Sequence, residues 1–202
     1  MELNLEGKKA LVTGGSHGIG SAIKKALEKE GVKVISWSRS EGVNLEEELP
    51  PIPNVDIIIN NVGGGGSSNQ WDWEYKMKKN FGNMADIICE WLMYSKHWGR
   101  IITISSFYGK EKGPNAGFTA AKAAQIAFMK SLAGKYKGIT FNTICPGIIN
   151  TTESNKQFAI ENKLQLGEPE DIANIVTFLC SDLAKHINGA VITVDGGDSH
   201  SF

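Results

Sequence analysis

Short apolar runs alternate with helical stretches along most of the chain. Lys9-Ala10-Leu11-Val12-Thr13 is an apolar run that ends in glycine. From Ile19 to Lys29 the apolar residues Ile19, Ile23, Ala26 and Leu27 return at helical spacing, and Gly31 stops the helix. Val32-Lys33-Val34-Ile35-Ser36-Trp37 then reads as a second strand. A β-α-β unit of this size requires a right-handed crossover and a parallel pair. Val55 to Asn60 (VDIIIN) is a strand of the kind buried on both faces. Further on, the pattern predicts a helix over 76–97, a strand over Ile101–Ser105 and an Ala-rich helix over 116–134. A strand over Ile139–Cys145, a helix over Pro169–Cys180 and a strand over Ala190–Val194 complete it. Such alternation predicts an α/β fold: a doubly wound parallel sheet between two helical layers. Neither a repeat nor a linker interrupts it, so one domain is expected over residues 1–202.

One stretch departs from the pattern. Between Val43-Asn44-Leu45 and Val55 lies EEELPPIPN, in which Pro50, Pro51 and Pro53 forbid a regular helix. If Val43–Leu45 forms a short third strand, its crossover is extended, and the sheet is poorly covered on that edge.

Composition narrows the function classes. Lys plus Arg is 21 and Asp plus Glu is 22, so no basic excess draws the chain to nucleic acid. Cys89, Cys145 and Cys180 are widely separated, which argues against a disulfide framework or a zinc ribbon. Asp195, Asp198, His186 and His200 have no metal-ligand spacing, and no metal is assigned. No signal peptide and no membrane span are read, so the cytoplasm is the expected location.

The unusual number is 23 glycines, several of them clustered. Thr13-Gly14-Gly15-Ser16-His17-Gly18-Ile19-Gly20 lies between the first strand and its helix. Gly14 permits the tight turn, Gly18 lets the backbone approach a pyrophosphate, and Gly20 lets helix and strand pack together. The helix N-terminus offers N–H groups and partial positive charge to the phosphates. In this strand-turn-helix context the segment predicts a Rossmann-type dinucleotide site. An acidic residue at the end of the second strand would accept the ribose hydroxyls of NAD. Here that stretch is Ser36-Trp37-Ser38-Arg39-Ser40. Arg39, with His17 near it, suits a 2′-phosphate, so NADP(H) is expected over NAD(H).

These residues and five later motifs resemble the short-chain dehydrogenase/reductase family. The motifs are Asn60-Asn61-Val62-Gly63, Ser106-x-x-Gly109, Thr119-Ala120-Ala121-Lys122 and Pro146-Gly147-Ile148-Ile149-Asn150-Thr151, followed by Val194-Asp195-Gly196-Gly197. The resemblance runs over about residues 5–198 and implies a role for each position. The cofactor would lie along Gly14, Ser16, His17, Gly18, Ile19 and Gly20. Asn44 would meet the adenine amino group, and Asn60, Asn61, Val62 and Gly63 would flank the adenosine ribose. Pro146, Gly147, the Ile149 backbone and Thr151 would face the carboxamide end. Asn80 would help hold a proton-relay water, and Ser106 would hydrogen-bond the substrate carbonyl, with Ser105 as competitor. Lys122 would bind the nicotinamide ribose and supply positive charge.

The resemblance also exposes a gap. The family's proton donor is a tyrosine four residues before that lysine, and this chain has Phe118 there. Residues four apart share a helix face. Phe118 has no proton to give, and loss of a general acid costs about 10²–10⁴ in rate. Tyr108, two residues after Ser106, is the nearest other phenol in sequence. Three explanations stay open: an engineered Tyr→Phe change, a natural loss that leaves a nucleotide-binding or scaffolding protein, or chemistry with another acid.

The substrate walls are expected from Gly63–Trp73, Phe107–Gly117 and Ile148–Leu166. Asn69 and Gln70 beside Trp71 and Trp73 would suit a small polar ring compound such as a sugar derivative. Met84, Ile87, Ile88, Trp91 and Leu92 line one helix, and Ala120, Ala121, Ala123, Ala124 and Ala127 another. In the family these helices commonly meet a second subunit, so a homodimer or homotetramer is expected; alternatively the stripes only cover the sheet.

Overall fold

A computed structural model describes residues 2–64, 72–94 and 97–200. Along the chain run β1 (Lys9–Thr13), α1 (Gly18–Lys29), β2 (Lys33–Trp37), β3 (Ile57–Asn60), α2 (Trp73–Met77) and α3 (Asn83–Met93). There follow β4 (Gly99–Ile104), α4 (Ala116–Leu132), β5 (Ile139–Pro146), β6 (Ile148–Ile149), α5 (Glu153–Asn162), β7 (Leu166–Gly167), α6 (Pro169–Cys180) and β8 (Val191–Val194). Six parallel strands form the main sheet in the order β2-β1-β3-β4-β5-β8. The order reverses beside β1, and in open α/β sheets the crevice at such a switch point takes the ligand.

Strand parity explains the two cores. Ala10, Val12, Ile57, Ile59, Ile102 and Ile144 point to one face, where Ile23 and Leu27 of α1 and Ile172 and Val176 of α6 cover them. Leu11, Ile58, Ile101 and Phe141 point to the other, under Ile87, Ile88 and Trp91 of α3 and Met129 of α4. Each such side chain contributes roughly 1.5–3 kcal/mol on burial, so a strand apolar on both faces is anchored twice. The stripe Met84, Ile87, Ile88 and Trp91 is buried within the chain, so it covers the sheet.

The proline-rich stretch differs from expectation. Val43–Leu45 is not a strand, and residues 43–56 contain only turns and extended chain. Yet this segment is not idle: Leu45 and Val55 are buried, with Val43, Leu49 and Ile52 packed beside them against the α3 face. The indole of Trp91 donates to the Val55 carbonyl at 3.0 Å. Extended chain thus covers Trp37, while Ile35 on the edge strand stays 40% exposed. Two further elements lie beyond the expected pattern. A π-helical turn, Lys78–Gly82, joins α2 to α3, and α5 lies within the Ile148–Leu166 segment, for which the pattern predicts no helix. Thr152 caps α5 through its side chain.

Candidate functional site

A groove of about 650 Å³ crosses the carboxyl ends of the strands. The end expected to take the phosphates is a backbone structure. Gly14 takes φ +70, a conformation that L side chains rarely adopt, and its N–H donates to the Trp37 carbonyl at 2.7 Å. A Cβ on Gly20 would overlap the Gly14 carbonyl oxygen, so the helix can seat this closely only with glycine there. Gly18 faces Thr151, and a Cβ on it would stand 2.9 Å from the Thr151 methyl group. His17 precedes α1 in extended conformation, with Nδ1 3.0 Å from Ser16 Oγ.

Asn61 has a role that its motif did not reveal. Its side-chain amide donates to the carbonyls of Thr13 (3.1 Å) and Gly14 (3.2 Å). The Thr13 hydroxyl oxygen accepts from the Asn61 and Val62 N–H groups in return. The end of β3 therefore braces the glycine turn. Arg39 opens a short 3₁₀ turn after β2 and lines the groove. Asn44 also lines it, but its Oδ1 accepts from Glu46 N and its Nδ2 donates to Glu47.

The other end holds the side chains expected to do chemistry. Ser106, Phe118 and Lys122 all line the groove. Ser105 Oγ donates to the Lys122 carbonyl at 2.9 Å, whereas Ser106 Oγ accepts from Tyr108 N and keeps its hydrogen for another partner. That distinguishes the two serines. Gly109 lets the 3₁₀ turn press on α4: a Cβ there would lie 2.9 Å from the Lys122 carbonyl carbon. Asn115 caps α4 by accepting from Phe118 N. Lys122 Nζ donates to the Ile104 carbonyl at 2.9 Å and lies 5.6 Å from the centre of the Phe118 ring. The two therefore share one helix face. Burial pulls the Lys122 ammonium down to about 8, with Cys145 acting in the opposite sense. Tyr108 shares the groove, with its ring 4.0 Å from that of Phe107, and burial together with Glu111 raises its pKa. It is thus a weaker acid than an ordinary phenol.

Three expected site residues do not line the groove. Gly20 sits behind the turn, Asn60 is buried beneath it, and Asn80 is fully buried in the π-helical turn. Asn80 still shapes the wall. Its Oδ1 accepts from Gly64 N at 2.9 Å, and its Nδ2 donates to the Gly64 and Lys76 carbonyls. Gln125 occupies its main-chain oxygen. Val62, Gly63, Pro146, Gly147 and Ile149 line the groove as expected. A Cβ on Gly147 would meet Asp195 at 2.8 Å, which is how the Asp195-Gly196-Gly197 segment buttresses that wall. Glu46, Lys79 and Asn155 line the groove without any motif to announce them. Of the expected substrate walls, Asn69, Gln70 and Trp71 fall outside the described residues. Among the described residues no three His, Cys, Asp or Glu side chains could hold a metal, and no helix is long and apolar enough to cross a membrane.

Comparison with known proteins agrees with this geometry. The family model described as enoyl-(acyl carrier protein) reductase matches residues 44–199. The 3-oxoacyl-[acyl-carrier-protein] reductase FabG of Escherichia coli is 34% identical over 241 aligned positions, spanning 96% of this chain and 98% of that protein. An acetoacetyl-CoA reductase of Shinella zoogloeoides is 34% identical, spanning 93% and 97%. Among solved structures, a protein assigned as a 2-deoxy-D-gluconate 3-dehydrogenase from Agrobacterium tumefaciens, with bound NADP, superposes with a TM-score of 0.82. It is 27% identical and covers 97% of this chain and 98% of its own. A glycine-walled groove at the switch point, a Ser106–Lys122 pair at its far end and end-to-end likeness to these reductases together make the chain a member of the short-chain dehydrogenase/reductase family of NAD(P)-dependent oxidoreductases.

Proposed function

We propose that the chain is an NADP(H)-dependent reductase of a small polar carbonyl compound, or the oxidant of the corresponding alcohol, slowed by Phe118. The observation that carries this reading is the continuity of the groove. One cavity joins the glycine turn and Arg39 to Ser106, Phe118 and Lys122. Its phosphate end is a cradle in which side chains at Gly14, Gly18 and Gly20 would collide, which suits a diphosphate lying on bare backbone. The Arg39 side chain makes no hydrogen bond or ion pair among the described residues, so its guanidinium is available to a 2′-phosphate. The NADP-bound relative supports the same preference.

A bound nicotinamide supplies or takes the hydride. The chain's own residues then hold the substrate and manage charge. Ser106 Oγ donates to the carbonyl oxygen. Lys122, an ammonium below about pH 8, anchors on Ile104 and places positive charge beside the reacting end. Phe118 presents a ring edge where a phenol would release a proton, so the alkoxide lacks its direct donor. The named reductase relatives act on 3-oxoacyl and acetoacetyl groups, and the dehydrogenase relative on a deoxy sugar acid. Every one of these substrates is a carbonyl or carbinol beside polar groups. A sugar derivative suits the polar wall to which Thr151 and Asn155 contribute. Ala120, Ala123, Ala124 and Ala127 of α4 remain unburied and support assembly as a homodimer or homotetramer.

The test is to titrate the chain with NADPH and NADH, then compare it with Phe118→Tyr on a panel of ketones and alcohols. Tight NADPH binding with turnover restored by tyrosine supports the reading. Binding with no turnover in either form favours a nucleotide-binding module, and no binding at millimolar nucleotide overturns both.

A further inference from the structure

The proline-rich connection brings a carboxylate to the adenosine end of the groove. Glu46 lines the groove beside Arg39 and Asn44, although it lies nine residues beyond the end of β2. Its placement is fixed from its own backbone outward, because Asn44 Oδ1 accepts from Glu46 N at 3.2 Å. Its side chain is fixed from across the groove. Glu46 Oε1 accepts from Lys79 Nζ at 3.0 Å and from the Tyr75 hydroxyl at 3.1 Å. Lys79 Nζ in turn donates to the Tyr75 oxygen at 3.1 Å. The three side chains form a clasp between the extended connection and the α2–π-turn segment.

A carboxylate at this end of the groove is chemically consequential. It can accept hydrogen bonds from the 2′- and 3′-hydroxyls of an adenosine ribose, and it repels a 2′-phosphate. Neither Glu41 nor Glu47 lines the groove: Ser36, Ser38 and Lys24 hold the first, and Asn44 Nδ2 donates to the second. Glu46 is therefore the acid that could turn this subsite toward NAD(H), and the clasp neutralises it. The ion pair with Lys79 and the hydrogen bond from Tyr75 engage Glu46 Oε1 and favour its ionised form, and the Arg39 charge acts in the same sense.

We propose that Glu46, clasped by Lys79 and Tyr75, is a second determinant of dinucleotide choice: the clasp withholds its carboxylate from ribose hydroxyls and keeps the subsite selective for a 2′-phosphate. This rests on the NADP(H) reading above. With Lys79 in place the pair carries no net charge, and a 2′-phosphate meets Arg39 unopposed. Without Lys79 the carboxylate is free both to bind a ribose and to repel the phosphate, and both effects favour NADH.

Dissociation constants for NADPH and NADH, measured by nucleotide fluorescence on the full chain, decide the matter. Lys79→Met should lower the NADPH-over-NADH affinity ratio by about tenfold or more. Lys79→Met combined with Glu46→Gln should restore the ratio to near the wild-type value. An unchanged ratio in Lys79→Met overturns the proposal. A ratio still depressed in the double variant also overturns it, since Lys79 would then bind the phosphate itself. Glu46→Gln alone keeps the test alive if Lys79→Met does not fold. It leaves an unpaired ammonium near the phosphate and should raise the ratio about threefold; no change or a fall counts against the clasp. If the wild type prefers NADH or binds neither nucleotide, the NADP(H) reading fails first, and the variants are not needed to see it.

Discussion

At the phosphate end the groove is walled by main chain, whereas at the reacting end it is walled by side chains whose single atoms matter. Gly14, Gly18 and Gly20 act by what they lack, and Asn61 and Thr13 hold their backbone in place. Such a surface tolerates wide change elsewhere, because a backbone N–H is the same on every residue. The reacting end has no such tolerance. Ser106 and Lys122 line it, and on the proposed reading one missing oxygen on Phe118 removes the direct proton donor. On that reading binding and chemistry in this fold are separable.

Four variants would break or sharpen that contrast. The largest effect is expected from Phe118→Tyr, which should raise turnover by about 10²–10⁴ while leaving the NADPH dissociation constant nearly unchanged. Steady-state kinetics beside a binding titration would show it, and a matching change in affinity would erase the distinction between the two ends.

Next is the buried lysine. Burial lowers Lys122 to about 8, below its value in an unfolded chain. Between about pH 8 and 10.5 the unfolded chain therefore binds the proton more than the folded one, so stability gains with rising pH there. Below pH 8 both states are protonated and the full cost of burial persists. Relative to Lys122→Met, the wild type should gain up to about 3 kcal/mol across that window. Urea unfolding at pH 7, 9 and 10 measures this, and parallel curves for the two proteins would contradict it.

Gly20→Ala tests the phosphate end. The added methyl overlaps the Gly14 carbonyl, so the turn must shift. A loss of about 1–3 kcal/mol is expected, visible as a lower melting temperature and weaker binding of both NADPH and NADH. Unaltered binding would mean that the turn is not the cradle. Arg39→Asp should have the narrowest effect, a loss of about 1.5–3 kcal/mol in NADPH affinity alone. Equal losses for NADPH and NADH would assign Arg39 a structural role instead.

Much of this was legible in the sequence for a definite reason. Ile57, Ile58 and Ile59 announce a strand buried on both faces because burial there is set by two adjacent layers, and both demand apolar side chains. The spacing of Gly14, Gly18 and Gly20, and of Phe118 and Lys122, is likewise a local matter, fixed by the pitch of a turn or a helix. The covering of Trp37 was not legible. Prolines exclude a helix, but they do not say that Leu45, Leu49, Ile52 and Val55 will pack from turns and extended chain under α3. Nor did Asn61 advertise that it ties β3 to the glycine turn, since its partners lie 47 and 48 positions away.

The order of strands and helices, the bare backbone of the first turn and the absence of a phenol before Lys122 were thus settled by residue order, since each depends on neighbours within a few positions. Which carboxylates face the groove was decided only by packing. Glu41 turns away because Ser36, Ser38 and Lys24 surround it, and Glu46 arrives because the proline-rich segment crosses to meet Lys79, 33 residues later. Contacts of that span follow from how layers stack, and no periodicity in the chain encodes them.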